Sequence, residues 1–183
     1  MPSEEMVAVP AAEFARMRKL LDHQEVEDCL ARIARGADRF DRDLYLSACH
    51  ADAQVSVGGQ TKPAAESFEG GRAMHAAGTI STLHCLSTMN CDIDGNVAHA
   101  ETYHIYCART VDNMSWAATG RYIDQFERRD GVWGLVFRHI SVEWTGRMTP
   151  MELALQEAVD ATKHRLSAAR DRADPSYLRP LKG

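Results

Sequence analysis

Two ionisable residues, Asp38 and His84, stand where a proton-transfer pair could form. Asp38 lies near the C-terminal end of a predicted helix, where the helix dipole disfavours a carboxylate by about 0.3–1 kcal/mol. A histidine partner would compensate, because an Asp that accepts from one imidazole nitrogen fixes the tautomer and makes the other nitrogen a better base. His84 lies in TISTLHCLST, where a helical stretch is expected to give way to a strand. The pair is a candidate general base; the alternative is a structural His84 that bonds a backbone carbonyl.

Arg138 and His104 are polar residues on predicted strands. Arg138 interrupts an apolar row formed by Gly134, Val136, Ile140, Val142 and Trp144. A cation there either points into a pocket or pairs with a buried acid such as Asp124, because an unpaired buried charge is too costly. His104 shares a strand face with small residues that leave room beside it, so it is either a second pocket histidine or one satisfied within the sheet. Five other histidines are expected on the solvated surface, namely His23, His50, His75, His99 and His164.

The first half of the chain is predicted to be mainly helical. Apolar residues recur at intervals of three and four from Ala11 to Arg39, which is the helical period. A second short helix is expected from Asp41 to Cys49, with Asp41 as its cap. QVSVGG has strand character, and GGRAMHAAGTI is predicted to be helical.

From Thr82 onward the pattern changes to the alternation typical of strands. Strands are predicted at 86–93, 97–109, 115–128 and 132–144, and Asp94-Gly95 and Asp130-Gly131 are dipeptides preferred in hairpin turns. Strands this long must twist and curl around something. We therefore expect an α+β fold, in which a curved antiparallel sheet wraps the N-terminal helices into a cone with an open end.

The open end of such a cone would form an apolar pocket. The side chains expected to line it are Ile33, Met74, Leu86, Thr88, Met89, Tyr103, Trp116, Tyr122, Phe126, Ile140 and Trp144. Their size suggests a small apolar or aromatic ligand, of steroid or polyketide type. The opposite face of the last strand carries Trp133, Leu135 and Phe137, which predicts self-association into a dimer or trimer.

The composition of the chain argues against several kinds of partner and site. The net charge of −5, with interspersed basic residues, gives no footprint for nucleic acid or an anionic membrane. The five cysteines form no CxxC pair, which argues against a zinc site, and the expected chemistry needs no metal or cofactor. We expect a cytoplasmic protein with a loose tail at 1–10, the cone domain at 11–148, and a C-terminal helix and tail at 149–183.

Several segments, in this order, resemble one known family. They are LLDHQEVEDCLARIARGADRFDRDLYLSACHADAQV, TLHCL, DIDGNVAHAETY and GRYIDQFERRDGVWGLVFR, within roughly residues 18–146. Together they resemble the SnoaL-like branch of the nuclear transport factor 2-like superfamily, whose members include scytalone dehydratase, bile acid 7α-dehydratase and hexachlorocyclohexane dehydrochlorinase. The resemblance implies a cone-shaped fold that encloses an apolar pocket, and it implies self-association.

The resemblance also implies roles for individual residues. Asp38 and His84 would form the dyad that acts as the base in elimination, and Arg138 would face the departing group. His104 could correspond to a second pocket histidine. A dehydratase or related lyase is therefore expected, and an isomerase or polyketide cyclase would use the same base.

Two positions depart from the family pattern. Ile33, five residues before Asp38, replaces a Tyr or Lys that often assists the leaving group in related enzymes. Thr88, four residues after His84, replaces an Asn that is common in the branch. These departures keep two alternatives open: a non-catalytic ligand-binding or oligomerisation domain, and the small subunit of an aromatic-ring dioxygenase.

Overall fold

The computed structural model of the chain describes residues 9–112, 114–148 and 168–180. In this part of the chain the helices are α1 (Ala11–Asp38), α2 (Arg42–Leu46) and α3 (Ala64–Gly78). The strands are β1 (Cys49–Val57), β2 (Gln60–Pro63), β3 (Thr79–Asp94), β4 (Val97–Thr110), β5 (Ser115–Arg129) and β6 (Val132–Met148). A short 3-10 helix, Pro175–Tyr177, follows near the C-terminus.

The described strands form one curved sheet in the order β2-β1-β6-β5-β4-β3. The predicted α+β class is confirmed, as are the two hairpin turns, in which Gly95 and Gly131 adopt positive φ. One pairing differs from the expectation, because β1 runs parallel to β6 and the sheet is therefore mixed. A parallel pair needs a long connection, and here the chain between the two strands supplies it through α3 and the other long strands.

The long helix α1 supplies one wall of the core. Its bounds agree with the predicted helix from Ala11 to Arg39. The stripe on its second half, Val26, Leu30 and Ile33, is almost fully buried in one core cluster with Phe126 and the first residues of β6. Each such side chain contributes roughly 1.5–3 kcal/mol by leaving water. Burial of this stripe fixes the end of α1, and with it Asp38, over the sheet.

A close contact between two helices orients the next element. A Cβ atom on Gly36 would lie 2.7 Å from the backbone nitrogen of Tyr45, so only glycine allows α2 to pack this tightly on α1. Asp41 caps α2 by accepting from the Leu44 amide at 3.1 Å, as predicted. The helix ends at Leu46, earlier than expected, because β1 already begins at Cys49.

The boundary between α3 and β3 lies elsewhere than predicted. Helix α3 begins at Ala64, before the expected GGRAMHAAGTI stretch, and β3 begins at Thr79, before the expected start at residue 86. Thr79 pairs with Thr110 at the far end of β4, so pairing with a long neighbour extends the strand beyond its local pattern. His84 consequently lies within β3 and not at a junction.

Extra residues in β6 change which side chains face inward. Leu135 lies opposite Phe126 and Phe137 opposite Gln125, so Val136 forms a β-bulge. The bulge shifts the alternation by one residue, and Trp133 and Leu135 join the core. The predicted apolar outer face is therefore wrong for these two residues, and of the three only Phe137 is exposed.

A second bulge moves another predicted pocket residue. Val142 lies opposite Gly120 and Trp144 opposite Thr119, so Glu143 is an extra residue. Trp144 therefore shares the outer face with Thr119 instead of the inner face with Arg138, and its side chain is 54% exposed.

The segment 168–180 folds back over the end of α1. Arg39 pairs with Asp174 at 3.2 Å, and the Tyr177 hydroxyl donates to Asp41 at 2.7 Å. Arg170 donates to the Thr79 carbonyl at 2.9 Å. Most of the predicted C-terminal helix, residues 149–167, lies outside the described residues, and the described part, 168–174, is not helical.

Candidate active site

Asp38 and His84 meet as the sequence predicted. The last residue of α1 points its carboxylate at β3, where His84 Nδ1 lies 2.7 Å from Asp38 Oδ1. The Thr82 hydroxyl donates to the same oxygen at 2.9 Å, and the His84 backbone amide donates to Oδ2 at 2.9 Å. Asp38 is 6% exposed, so these donors replace the water that the carboxylate has lost.

This geometry determines which imidazole nitrogen can react. A carboxylate is an acceptor, so the short contact requires a hydrogen on Nδ1. In the neutral ring Nε2 then carries the free lone pair. His84 is 16% exposed in its side chain and lies on the wall of a cavity, so Nε2 is the nitrogen available to a ligand. The arrangement can accept a proton and hold the resulting imidazolium next to a negative charge.

The cavity lies between the helices and the concave face of the sheet. Its volume is about 450 Å³, which suits a small organic ligand. Its apolar wall is formed by Ile33, Ala34 and Ala37 of α1, Val55 and Val57 of β1, Phe68 of α3 and Ile140 of β6. Its polar side chains include Tyr45 of α2, His75 of α3, His84 of β3, Tyr122 of β5 and Arg138 of β6, and the exposed side chains of Lys62, Glu66 and Arg72 also line it.

Arg138 fulfils both expectations at once, because it lines the cavity and pairs with Asp124. Its Nε and Nη2 donate to the two Asp124 oxygens at 2.8 and 2.7 Å, and the guanidinium carbon lies 4.1 Å from the Tyr122 ring centroid. Burial opposes the charge, but the Asp124 carboxylate outweighs it and raises the pKa of Arg138. With Nε and Nη2 engaged, Nη1 is the nitrogen that remains for a ligand.

His104 lies behind the cavity wall. Its ring stacks on Tyr122 with the centroids 4.1 Å apart and the planes 6° from parallel. It comes from β4 and Arg138 from β6, so the two flank the Tyr122 ring from opposite sides. Burial, together with the charges of His84 and Arg138, lowers the pKa of His104 to about 4. Its Nδ1 is buried without a hydrogen-bond partner among the described residues, and His104 does not line the cavity.

The predicted lining residues divide into three groups. Ile33, Met74, Tyr122 and Ile140 line the cavity, and Leu86 lines a smaller cavity beside Asp38 and His84. Phe126 and Met89 belong to the core, and Trp116 packs against Tyr106 in a separate cluster. Tyr103 and Thr88 are exposed, as is Trp144. Tyr103 lies on the outer face of β4, and Thr88 lies at a bulge between Leu86 and Met89.

Tyr45 and His75 are among the cavity residues that the sequence analysis missed. Tyr45 lies on α2 and is 6% exposed, and burial raises its pKa to about 12. His75 lies on α3 and is half-buried, so the expected surface position is wrong. The early start of α3 explains the second error, since the full helix brings His75 to the cavity wall.

Within residues 9–112, 114–148 and 168–180, no group of three or more His, Cys, Asp or Glu side chains could hold a metal ion. In the same residues, no helix has the length and apolar character needed to cross a membrane.

The following three proteins are among the solved structures with a similar fold. Hexachlorocyclohexane dehydrochlorinase LinA-type3 from Novosphingobium barchaimii LL02 matches with a TM-score of 0.68 and 16% identity, over 76% of this chain and 98% of that chain. A candidate scytalone dehydratase from Novosphingobium aromaticivorans DSM 12444 matches with a TM-score of 0.64 and 15% identity, over 73% and 91%. A protein of unknown function with a cystatin-like fold from Nostoc punctiforme PCC 73102 gives 0.56 and 24%, over 67% and 92%.

Sequence comparison gives the family. The comparison with curated proteins found no match. The family model of the SnoaL-like domain matches residues 18–139, which span α1 to the middle of β6 and include Asp38, His84 and Arg138. With this match over most of the chain, the protein belongs to the SnoaL-like domain family.

Proposed function

We propose that this chain is a cofactor-independent lyase that eliminates water or an acid from a small organic substrate, with His84 as the general base. The observation that carries the proposal is the 2.7 Å contact between Asp38 Oδ1 and His84 Nδ1 on the cavity wall. Two proteins of similar fold support the reaction class, since their names denote the loss of water and of hydrogen chloride.

The proposed step is written for a β-hydroxy ketone. His84 Nε2 removes the proton on the carbon next to the carbonyl, and the electrons of that C–H bond form an enolate. The enolate then forms the carbon–carbon double bond as the β-carbon–oxygen bond breaks. The departing oxygen takes the proton from His84, which yields water and returns the imidazole to its neutral form. Arg138 would bind the departing oxygen through Nη1, while Asp38 stabilises the transient imidazolium.

The walls of the cavity suggest the character of the substrate. Ile33, Val55 and Ile140 would contact an apolar or aromatic skeleton, and His84 and Arg138 would contact its polar groups. A substrate of aromatic, polyketide or small steroid type fits this distribution. An isomerase or cyclase would use the same base and differ in where the proton returns.

The experiment compares His84→Gln with the wild-type protein on a panel of β-hydroxy ketones of aromatic, polyketide and steroid type. Loss of a positioned base is expected to lower kcat by about 10²–10⁴-fold on any substrate that is turned over. His139→Gln is the matched control, because His139 is exposed on the same sheet away from the cavity. Unchanged turnover by His84→Gln would contradict the assigned role.

A non-catalytic ligand-binding domain is the rival reading, and Ile33 favours it. This side chain places an apolar group on the cavity wall where the family pattern implies a polar helper. Isothermal titration with the same panel separates the two. Binding of a ligand that is never converted, with affinity unchanged in His84→Gln, supports the rival. Co-purification with a large iron–sulfur subunit would instead indicate the small subunit of a dioxygenase.

Self-association stays a prediction, with a corrected surface. The outer face of the sheet exposes Tyr103, Ile105, Ile123, Phe137 and Trp144 in place of the predicted set. An apolar face of this kind is expected to be covered by a second copy of the chain. Sedimentation velocity should therefore give a dimer or trimer, and Ile123→Lys should shift it towards the monomer; a monomeric wild type would contradict the prediction.

A further inference from the structure

His75 is a second histidine on the wall of the cavity that contains His84. It lies on α3, in a part of the wall formed by a different element from those that carry the dyad and Arg138. Its Nδ1 lies 3.1 Å from the Tyr106 hydroxyl. Tyr106 comes from β4 and is 7% exposed, and it does not line the cavity. The phenol therefore holds the imidazole from behind, and Nε2 is the nitrogen left for the cavity.

The surroundings keep both partners uncharged at neutral pH. Burial lowers the pKa of His75, and the charges of Arg170 and His84 lower it further. Burial raises the pKa of Tyr106, so its hydroxyl keeps its proton. That proton needs an acceptor, and His75 Nδ1 is the one that the described residues offer. A neutral imidazole that accepts at Nδ1 carries its hydrogen on Nε2, so it presents a donor to the cavity.

We propose that His75 is a further catalytic residue, which donates a hydrogen bond from Nε2 to the carbonyl oxygen of the substrate, with Tyr106 as its positioning residue. This inference rests on the proposed function and specifies its substrate class. The substrate carries two oxygen functions: a carbonyl held at α3 by His75, and a departing hydroxyl held at β6 by Arg138.

The charges that develop during the reaction explain why the neutral donor, His75, is assigned to the carbonyl oxygen. The carbonyl oxygen gains negative charge as the enolate forms, and a fixed neutral donor stabilises that charge without surrendering its own proton. His84 becomes an imidazolium in the same step. The Tyr106 ring centroid lies 4.9 Å from the His84 ring and 5.6 Å from the His75 ring, so the positive charge on His84 disfavours a second proton on His75. His75 therefore stays a neutral donor throughout the reaction.

The kinetic test replaces His75 in two ways. His75→Phe removes the donor, and we expect kcat on the β-hydroxy ketone panel to fall by about 10²-fold, as when one oxyanion donor is lost. His75→Gln places an amide N–H near the position of Nε2, so it should recover much of the loss. The control is His99→Phe, at an exposed position on the outer face of β4.

The outcomes separate this inference from the proposed function. If His84→Gln loses turnover while His75→Phe keeps it, the role of His75 is wrong and the base assignment stands. If both lose turnover and His75→Gln recovers it, both stand. If His84→Gln keeps full turnover, the proposed function fails, and with it the catalytic role of His75.

The tautomer can be measured without any substrate. Imidazole ¹⁵N shifts of His75, assigned by comparison with His75→Gln, should show an unprotonated Nδ1 and a protonated Nε2 at pH 7. Tyr106→Phe keeps the ring contacts and removes the hydroxyl, so the two tautomers should become mixed, with a smaller loss in kcat than in His75→Phe. A protonated Nδ1 in the wild type, or an unchanged tautomer in Tyr106→Phe, would overturn the assignment.

Discussion

Two buried acids contribute to the cavity wall through a basic partner, and the partners give them different capacities. Asp38 bonds the imidazole of His84 together with a hydroxyl and a backbone amide. Asp124 gives both of its oxygens to the guanidinium of Arg138. An imidazole changes its charge near neutral pH, whereas a guanidinium keeps its charge at every working pH. The first pair can move a proton, and the second can only supply a fixed charge and a donor.

The difference begins in how the two pairs are built. Asp124 and Arg138 lie opposite each other on β5 and β6, so the register of the sheet alone brings them together. Asp38 ends a helix and reaches a strand from outside the sheet, which leaves the histidine ring free to face the cavity. A register pair gives a rigid charge, while a helix-to-strand pair gives a base that a ligand can approach.

The largest effect is expected when the Asp38–His84 pair is broken. Asp38→Asn keeps the size of the side chain but removes the negative charge that stabilises the imidazolium. We expect kcat on a β-hydroxy ketone to fall by up to about 10⁴-fold, or about 5 kcal/mol. Turnover kinetics and urea unfolding should be measured on the same protein. A loss of activity explained entirely by unfolding would show that the Asp38–His84 pair only stabilises the fold.

The next largest effect is expected when the Asp124–Arg138 pair is broken. Asp124→Asn leaves Arg138 buried without its counter-charge, and we expect the free energy of unfolding to fall by about 3–5 kcal/mol. The double variant Asp124→Leu, Arg138→Met removes both charges and should recover most of the stability. Urea unfolding measures both. If the single variant is as stable as the wild type, the pair is not the fixed structural charge described above.

The smallest expected effect concerns His104, which flanks the Tyr122 ring on the side opposite Arg138. The native state holds His104 neutral down to a pKa of about 4, whereas an unfolded histidine titrates near 6.5. Between these values the unfolded chain binds more protons, so stability falls as the pH decreases through this window, by up to about 3 kcal/mol. His104→Phe keeps the stacking on Tyr122 and does not titrate. Its loss of stability between pH 6.5 and 4 should be smaller than that of the wild type; equal losses would contradict the shifted pKa.

The sequence predicted the parts of the site that depend on local pattern. The helical period placed Asp38 at the end of α1, and the strand alternation placed His104 on the inner face of β4. Arg138 was expected either in a pocket or against Asp124, and the structure shows both contacts.

Features that depend on pairing between strands could not be predicted in this way. The bulges at Val136 and Glu143 cannot be recognised from the alternation of apolar and polar residues. Trp133 was therefore expected on the outer face of the sheet and Trp144 on the inner face. The inward position of His75 depends on where α3 begins, and that start lies upstream of the expected GGRAMHAAGTI stretch. Local patterns assign a face only until the first inserted residue.

The segment 168–180 limits how far this site can be transferred between proteins. It lies beyond the stretch that matches the family, yet Arg170 donates to the His75 carbonyl at 3.3 Å and to the Thr79 carbonyl at 2.9 Å. A graft of residues 18–139 onto another member of the family would carry the cavity wall except Ile140, and it would lack the guanidinium of Arg170 that holds the junction of α3 and β3. The stretch that matches the family and the segment that supports the wall of the cavity are therefore different parts of the chain.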